Sequence, residues 1–381
     1  MLLSDSDVLI AGTVGFSRFV QEAFASLSRL DQRRWAEVYV RGLLEREGRK
    51  SARKIADAIL GLPVAQSLQQ FVNQSPWDWQ PVRQYLAAHA VEHLRPKAWV
   101  LDNTVIPKSG RYSVGVARRY VEAERRTLNC QVGKALFLAG DGAGVPVDWR
   151  IVLPEKWGSD AHLRKRARIP AEERSEPEWR YALDLVDQQR NRWAGDSLPV
   201  VSDVRNMSGA ADLGHRLHQS RIGFVFQVGA RLPLVQDDGR VRTALDCAQD
   251  VIRNRRPAVV WRGDGGSAFG TYFLSVPVQF EPSGKVSAPA DAGRSFRLIV
   301  ERSPNEELPV RYWLTNFPHR MGGEVVGLGR LVDQTRRDLR ELRLDFGLHD
   351  FEGRSFRGWH HHMTLVSAAY AYHRTHLAGV R

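Results

Sequence analysis

The sequence predicts an α/β protein, and three regions of contrasting pattern support this class. Apolar residues recur at three- and four-residue spacing in the first quarter of the chain, which is typical of helices. Short apolar runs that end at acidic residues then alternate with helical segments, and a later block has β-branched and aromatic runs between Gly, Pro and Asp turns. We expect four parts: a helical N-terminal domain (1–95), an α/β core (96–229), an all-β insertion (230–320) and C-terminal helices (321–381).

The N-terminal region carries two apolar stripes and a basic cluster. The stripes run from Phe16 to Leu30 and from Trp35 to Leu44, and Gly61 and Pro63 end the helix that follows. The basic cluster follows the second stripe and consists of Arg46, Arg49, Lys50, Arg53 and Lys54. This cluster is either a solvated helix face or a surface that contacts DNA phosphates.

The rest of the chain gives a definite order of elements. Strands are predicted over 98–101, 132–138, 145–153, 198–202 and 223–228, with helices over 179–193 and 207–219. Within the insertion, strands are predicted over 258–261, 272–278, 296–300 and 310–314. One long helix over 325–346 and a last helix over 363–375 complete the chain.

The composition limits the class of binding partner and the cellular compartment that we expect. The 381 residues include 55 basic and 43 acidic side chains, a net charge of +12, which favours a polyanionic partner. Two cysteines without a CxxC pair exclude a disulfide scaffold and a thiolate zinc site. The chain has neither an apolar run of membrane-spanning length nor a signal-like N-terminus, so we expect a cytoplasmic protein.

Two acids directly follow buried strands and are the first candidates for chemistry. Asp102 ends the run AWVL, and Asp203 ends the run VVS. Functional groups of open α/β sheets gather at the carboxyl ends of strands. Carboxylates on adjacent strands could share Mg²⁺ ions, which prefer oxygen ligands. Strand-end aspartates are also common for structural reasons.

Longer motifs resemble a known family. They are WVLDNTVIPKSGRYSVGVARRY (99–120), NCQVGKALFL (129–138), VPVDWRIVLPEKW (145–157), VVSDVRN (200–206) and FGLHDFEGRSFRGWHHHMTLVSAAYAY (346–372). In order and spacing they resemble DDE transposases of bacterial insertion sequences, in the DDE superfamily endonuclease group. The resemblance implies a ribonuclease-H-like core, interrupted by a β insertion, that cuts double-stranded DNA with Mg²⁺ or Mn²⁺.

The acidic triad departs from the family pattern. The first metal-binding acid of related transposases immediately precedes a Thr, and here Asn103 holds that position, behind Asp102. The second acid is retained as Asp203. Alignment of the later helix places Arg336 at the third acid and Asp333 three residues before it. Guanidinium has no acceptor, and an amide supplies no negative charge, so this donor set predicts weak metal binding.

The resemblance leaves three functions open. The first is a transposase-like DNA-binding protein with impaired cleavage, retained without a cofactor for another task such as regulation. The second is an active transposase that uses Asp102, Asp203 and a displaced acid such as Asp333. The third is a fold reused for a partner other than DNA. A homodimer also stays open. The residues predicted to contact DNA are Arg49, Lys50, Arg53, Lys54, Lys108, Arg118, Arg119, Arg337, Arg340, Arg343, Arg354 and Arg357.

The run His360–His362 resembles a metal cluster only superficially. Consecutive helical residues point in different directions, so three such rings cannot converge on one ion. We therefore expect these histidines to be structural or to face phosphate.

Overall fold

A computed structural model describes residues 15–60, 64–191, 197–236, 238–254, 259–261, 271–280, 296–302 and 311–377. The chain forms two compact units. Unit 1 contains Met1–Pro96, Asn103–Glu176 and Thr335–Arg381, and unit 2 contains Lys97–Asp102 and Pro177–Gln334. The predicted helix-ending Gly61 and Pro63, and the predicted strand starts at 258 and 310, lie outside the described residues.

Unit 1 begins with helices, as the apolar spacing predicts. They are α1 (15–23), α2 (Leu30–Glu45), α3 (Ala52–Leu60), α4 (Ala65–Asn73) and α5 (Gln80–Leu94). Each buries one apolar face, for example Leu68, Phe71 and Val72 of α4. These helices belong to the same compact unit as the strands and C-terminal helices described next.

The strands of unit 1 are mainly antiparallel. The second half of β1 (Ala98–Pro107) belongs to this unit, next to β3 (Arg126–Gly140). Strand β3 also pairs antiparallel with β2 (Ala117–Val121) and with β4 (Ala143–Ile151). Short helices α6 (Glu155–Ser159) and α7 (Ala161–Ala167) follow β4, and Asp160 caps α7 by accepting from the Leu163 amide at 3.0 Å.

A buried helix, α13 (Phe356–Tyr372), lies at the centre of unit 1 and contacts β4, α2, α4 and α5. The ring nitrogens of His361 lie 2.9 Å from the carbonyl oxygens of Val72 and Trp77, and His362 Nδ1 lies 3.0 Å from the Tyr39 hydroxyl. All three histidines of the run are buried. These contacts support a structural role, and none of the three rings is exposed to solvent.

Arg83 on α5 ties three elements of unit 1 together. Its guanidinium donates to Asp148 Oδ1 at 2.6 Å and to the Trp149 carbonyl oxygen at 3.0 Å, both on β4. On α13 it donates to Thr364 Oγ1 at 2.8 Å and to His360 Nδ1 at 3.1 Å. Arg83 and Asp148 are both 1% exposed in their side chains, so this is a fully buried ion pair.

Unit 2 contains the parallel strands. The first half of β1 pairs with β5 (Val200–Asp203), and β5 pairs with β6 (Phe224–Val228), in both cases in parallel. Helices α8 (Glu178–Arg190) and α9 (Ala210–Gln219) pack against each other, and α9 also contacts β6. The two units together contain the mixed α/β structure that is compatible with the expected ribonuclease-H-like fold.

The predicted insertion forms antiparallel strands but is not all-β. The strands are β7 (Pro233–Val235), β8 (Val241–Thr243), β9 (Val259–Trp261), β10 (Thr271–Phe280), β11 (Phe296–Arg302) and β12 (Arg311–Thr315). Helix α10 (Ala244–Asn254) lies within the block, so the expectation of strands alone is wrong there. Its buried Ala244, Cys247 and Ala248 follow the helical i, i+3, i+4 spacing, which the sequence analysis missed.

The predicted long helix over 325–346 is two helices. Helix α11 (Gly322–Gly329) and helix α12 (Leu331–Asp345) are separated by the single residue Arg330. A Cβ added to Gly329 would lie 2.4 Å from the Trp313 ring of β12, so close packing requires glycine at this position. Glycine is a weak helix former, and its presence beside the break is consistent with the division. Among the described residues, no helix is long and apolar enough to cross a membrane.

Candidate functional site

Unit 2 places the two strand-end acids on neighbouring strands. Leu101 of β1 is the register partner of Ser202 of β5, so Asp102 and Asp203 each come directly after a paired residue. Register partners on parallel strands point to the same side of a sheet, so Leu101 and Ser202 share one face. The Ser202 hydroxyl donates to the Leu101 carbonyl oxygen at 3.2 Å. Asp102 and Asp203 therefore follow paired residues on two adjacent parallel strands.

The carboxylate of Asp203 forms an ion pair with Arg205. Arg205 Nε lies 2.9 and 3.1 Å from the two carboxylate oxygens, and Nη2 lies 2.7 Å from Oδ2. The Arg205 amide also donates to Oδ1 at 3.1 Å. This forked arrangement engages both oxygens of Asp203, so a divalent cation would have to displace the guanidinium.

Asn103, which opens the unit 1 half of β1, lies beside a buried lysine. Lys134 Nζ on β3 donates to Asn103 Oδ1 at 2.8 Å, and Lys134 is 1% exposed. The amide oxygen therefore already contacts a cation. The next residue, Thr104, is hydrogen-bonded through Oγ1 to His349 Nε2 at 2.9 Å, and burial lowers the pKa of His349 to about 4. His349 is consequently neutral near pH 7.

The residues considered for the third metal-binding position, Asp333 and Arg336, lie on the two halves of α12 and have different surroundings. In unit 2, Asp333 is held by Arg311 at 2.5 Å. In unit 1, Arg336 is half-buried at the position aligned with the third acid. Asp338 is buried and accepts from the Tyr370 hydroxyl at 2.9 Å. Burial, together with the charge of Asp338, raises the pKa of Tyr370, so its hydroxyl stays protonated and donates.

Two of the predicted metal ligands already contact cations. Arg205 engages both carboxylate oxygens of Asp203, and the Lys134 ammonium contacts the neutral amide of Asn103. Magnesium is held by anionic oxygen ligands whose charge is not already neutralised. Over the described ranges, no group of three His, Cys, Asp or Glu side chains is arranged to hold a metal ion.

Sequence reasoning missed two residues here. Lys134 lies in the quoted run NCQVGKALFL, and Asp338 lies two residues after the aligned Arg336. A lysine at an otherwise apolar strand position is a signal that could have identified Lys134, because a buried cation requires a partner. Asp338 shows no comparable pattern in its neighbourhood.

Most of the predicted DNA-contacting residues are exposed, and all belong to unit 1. Lys50 is an exception and contradicts the prediction, because its side chain is buried and its Nζ donates to the Leu43 carbonyl oxygen. The side chain of Lys108 is also partly buried. It donates to the Phe351 carbonyl oxygen at 2.6 Å, and burial lowers its pKa to about 8. The exposed members are Arg49, Arg53, Lys54, Arg118, Arg337, Arg340, Arg343, Arg354 and Arg357, and Arg119 is partly exposed.

Comparison with known families assigns the chain. The family model described as DDE superfamily endonuclease matches residues 22–245, which is more than half of the chain. The protein therefore belongs to the DDE superfamily endonucleases, and the resemblance inferred from its motifs is confirmed. A search of curated proteins gives no match. The matched residues include Asn103 and Asp203, whereas α12 lies beyond them.

Proposed function

We propose that this protein is a transposase-like DNA-binding protein whose metal-dependent strand cleavage is impaired. One observation carries the proposal: cations contact two of the predicted metal ligands, and the sequence alignment places an arginine at the third position. Lys134 contacts Asn103, Arg205 engages Asp203, and Arg336 replaces the third acid.

The physical consequence is a loss of affinity for divalent cations. Mg²⁺ gives up hydration water reluctantly and needs anionic ligands to compensate. Protein cations at these positions repel it and occupy the oxygen lone pairs that it would use. DDE endonucleases generally use Mg²⁺ or Mn²⁺, so cleavage would fall with metal affinity.

DNA binding does not need the metal and is supported by separate residues. Exposed arginines recur at three-residue spacing on α12, at Arg337, Arg340 and Arg343. Two more lie at the start of α13, with Arg354 just before the helix and Arg357 in its first turn. Such side chains neutralise phosphates and release counterions from DNA. The net charge of +12 favours the same partner.

The purified protein, incubated with a duplex taken from the DNA that flanks its gene, tests the proposal. We expect binding that weakens steeply between ~50 and ~200 mM salt, because several phosphates are contacted. We expect no nicks in the duplex with Mg²⁺ or Mn²⁺. No binding at ~50 mM salt would instead favour a partner other than DNA.

The alternative of an active transposase rests on Asp102 and Asp203, which follow register partners on paired strands. If these two acids and Asp333 form a displaced site, the duplex is nicked with Mn²⁺. Nicking that Asp203→Ala abolishes would support this alternative and overturn the proposal of impaired cleavage.

A further inference from the structure

Unit 1 contains an open cleft outside the triad positions. Its volume is about 690 Å³, within the range of ~300–1,000 Å³ that is typical of ligand sites. One wall is α4, the other is the end of α7, and residues 352–355 before α13 complete it. Both walls are polar, but in different ways.

The α4 wall consists of amides. Gln66, Gln69, Gln70 and Asn73 recur at i, i+3, i+4 and i+7 and therefore share one face of the helix, opposite its buried apolar face. The three glutamines are exposed, and their side chains make no hydrogen bond to any other residue that the structure describes. Each amide offers both donors and an acceptor.

The facing wall is cationic. Arg166, Arg168 and Arg354 are exposed, and within the described part of the chain no acid forms an ion pair with any of them. The acid that lines the cleft, Glu352, is paired with Arg49 at 2.9 Å. The guanidinium of Arg166 lies 4.1 Å from the Tyr112 ring centroid, which holds it in place.

We infer that this cleft binds an unpaired DNA strand, with its phosphates on the arginine wall and its base edges on the amide wall. The inference rests on the proposed DNA binding and names where an unpaired strand would lie. Gln and Asn side chains recognise the donor and acceptor edges of bases, and arginines recognise phosphates. A duplex presents base edges only in its grooves, whereas a single strand leaves every edge, the Watson–Crick edge included, free to enter a cleft beside its phosphates. The combination of walls therefore favours the single strand.

Fluorescence anisotropy with labelled 12-nucleotide dA, dC and dT oligomers, and with a blunt duplex, tests the inference on the full chain. The variant Arg166→Ala/Arg168→Ala should weaken binding of every oligomer. It should also reduce the slope of log affinity against log salt by about 1.4, which is ~0.7 for each lost phosphate contact. The control Arg18→Ala/Arg29→Ala removes the same charge from exposed arginines that are paired with Glu22 and Asp31. It should leave the slope unchanged.

A second variant tests the contribution of the amide wall to base recognition. The variant Gln66→Ala/Gln69→Ala/Gln70→Ala should reduce the affinity differences among the three oligomers and keep the wild-type salt slope, because no charge is removed. All three substitutions are on an exposed helix face, where alanine is tolerated.

The outcomes separate this inference from the proposed function. If the wild-type protein binds the duplex but no oligomer, or if neither cleft variant differs from the control, the cleft is not a strand site and DNA binding stands. If the wild-type protein binds neither duplex nor oligomer at ~50 mM salt, both proposals are wrong.

Discussion

Replacing Arg83 with methionine should destabilise unit 1 more than any substitution at its surface. Arg83 donates to β4 and α13 from a position that is 1% exposed, and its principal partner is the equally buried carboxylate of Asp148. Methionine fills similar volume but supplies no donor. Asp148 would lose the guanidinium that donates to its Oδ1 at 2.6 Å, although the Trp149 amide also donates to that oxygen at 2.8 Å.

The magnitude follows from the cost of removing one partner of a buried ion pair, about 3–5 kcal/mol. That is a large part of the ~5–15 kcal/mol that stabilises a typical domain. With a urea m value of ~3 kcal/mol per molar, the unfolding midpoint should fall by about 1–1.7 M. Burial also lowers the pKa of Arg83 to about 10, so the side chain is charged at neutral pH.

Urea unfolding monitored by tryptophan fluorescence at pH 7 measures this change. The matched control is Arg41→Met, which removes a partly exposed i, i+4 pair with Glu37 and should cost about 0.5 kcal/mol or less. The double variant Arg83→Met/Asp148→Leu should recover part of the loss, since it removes both charges. A single variant as stable as Arg41→Met would refute the reasoning, because Asp148 would then be hydrated or protonated.

Two further predictions concern the metal ligands and the buried histidines. Asn103→Asp with Arg336→Glu should increase Mg²⁺ binding measured by calorimetry, since it supplies two carboxylates, and an unchanged titration would mean that the site is misplaced. Burial lowers the pKa of His361 and His362 to about 4 from an ordinary 6.5. Between these pH values the unfolded chain takes up protons that the folded chain excludes, so stability is full above about pH 6.5 and falls towards pH 4. The loss is about 1.4 kcal/mol per pH unit for each ring. Urea midpoints at pH 7 and pH 5 measure it, and equal midpoints would show that the rings are already charged or hydrated in the folded protein.

Local patterns in the sequence predict much of the secondary structure. The spacing of Leu68, Phe71 and Val72 identifies α4, and the apolar run before Asp203 identifies β5, because each is set by one buried face of one element. The break after Gly329 is not predictable in this way. It coincides with contact between that glycine and Trp313, sixteen residues earlier in the chain.

The candidate site shows the same limit. Asn103 and Asp203 lie within the residues that the family model matches, and their residue types can be taken directly from the sequence. The partners that decide their chemistry cannot. Lys134 contacts Asn103 from another strand. Lys50 belongs to a basic cluster in the sequence, yet its side chain is buried. In both cases tertiary packing, which the local sequence does not encode, decides whether the lysine is exposed to solvent.

Manganese binding measured by electron paramagnetic resonance tests the loss of the metal site most directly, because only free Mn²⁺ gives the strong solution signal. We predict that stoichiometric protein at pH 7 leaves that signal undiminished, as it would be with Asp203→Asn. A signal that falls in proportion to wild-type protein, and is restored by Asp203→Asn, would show that the chain still holds a divalent cation at its acidic strand end.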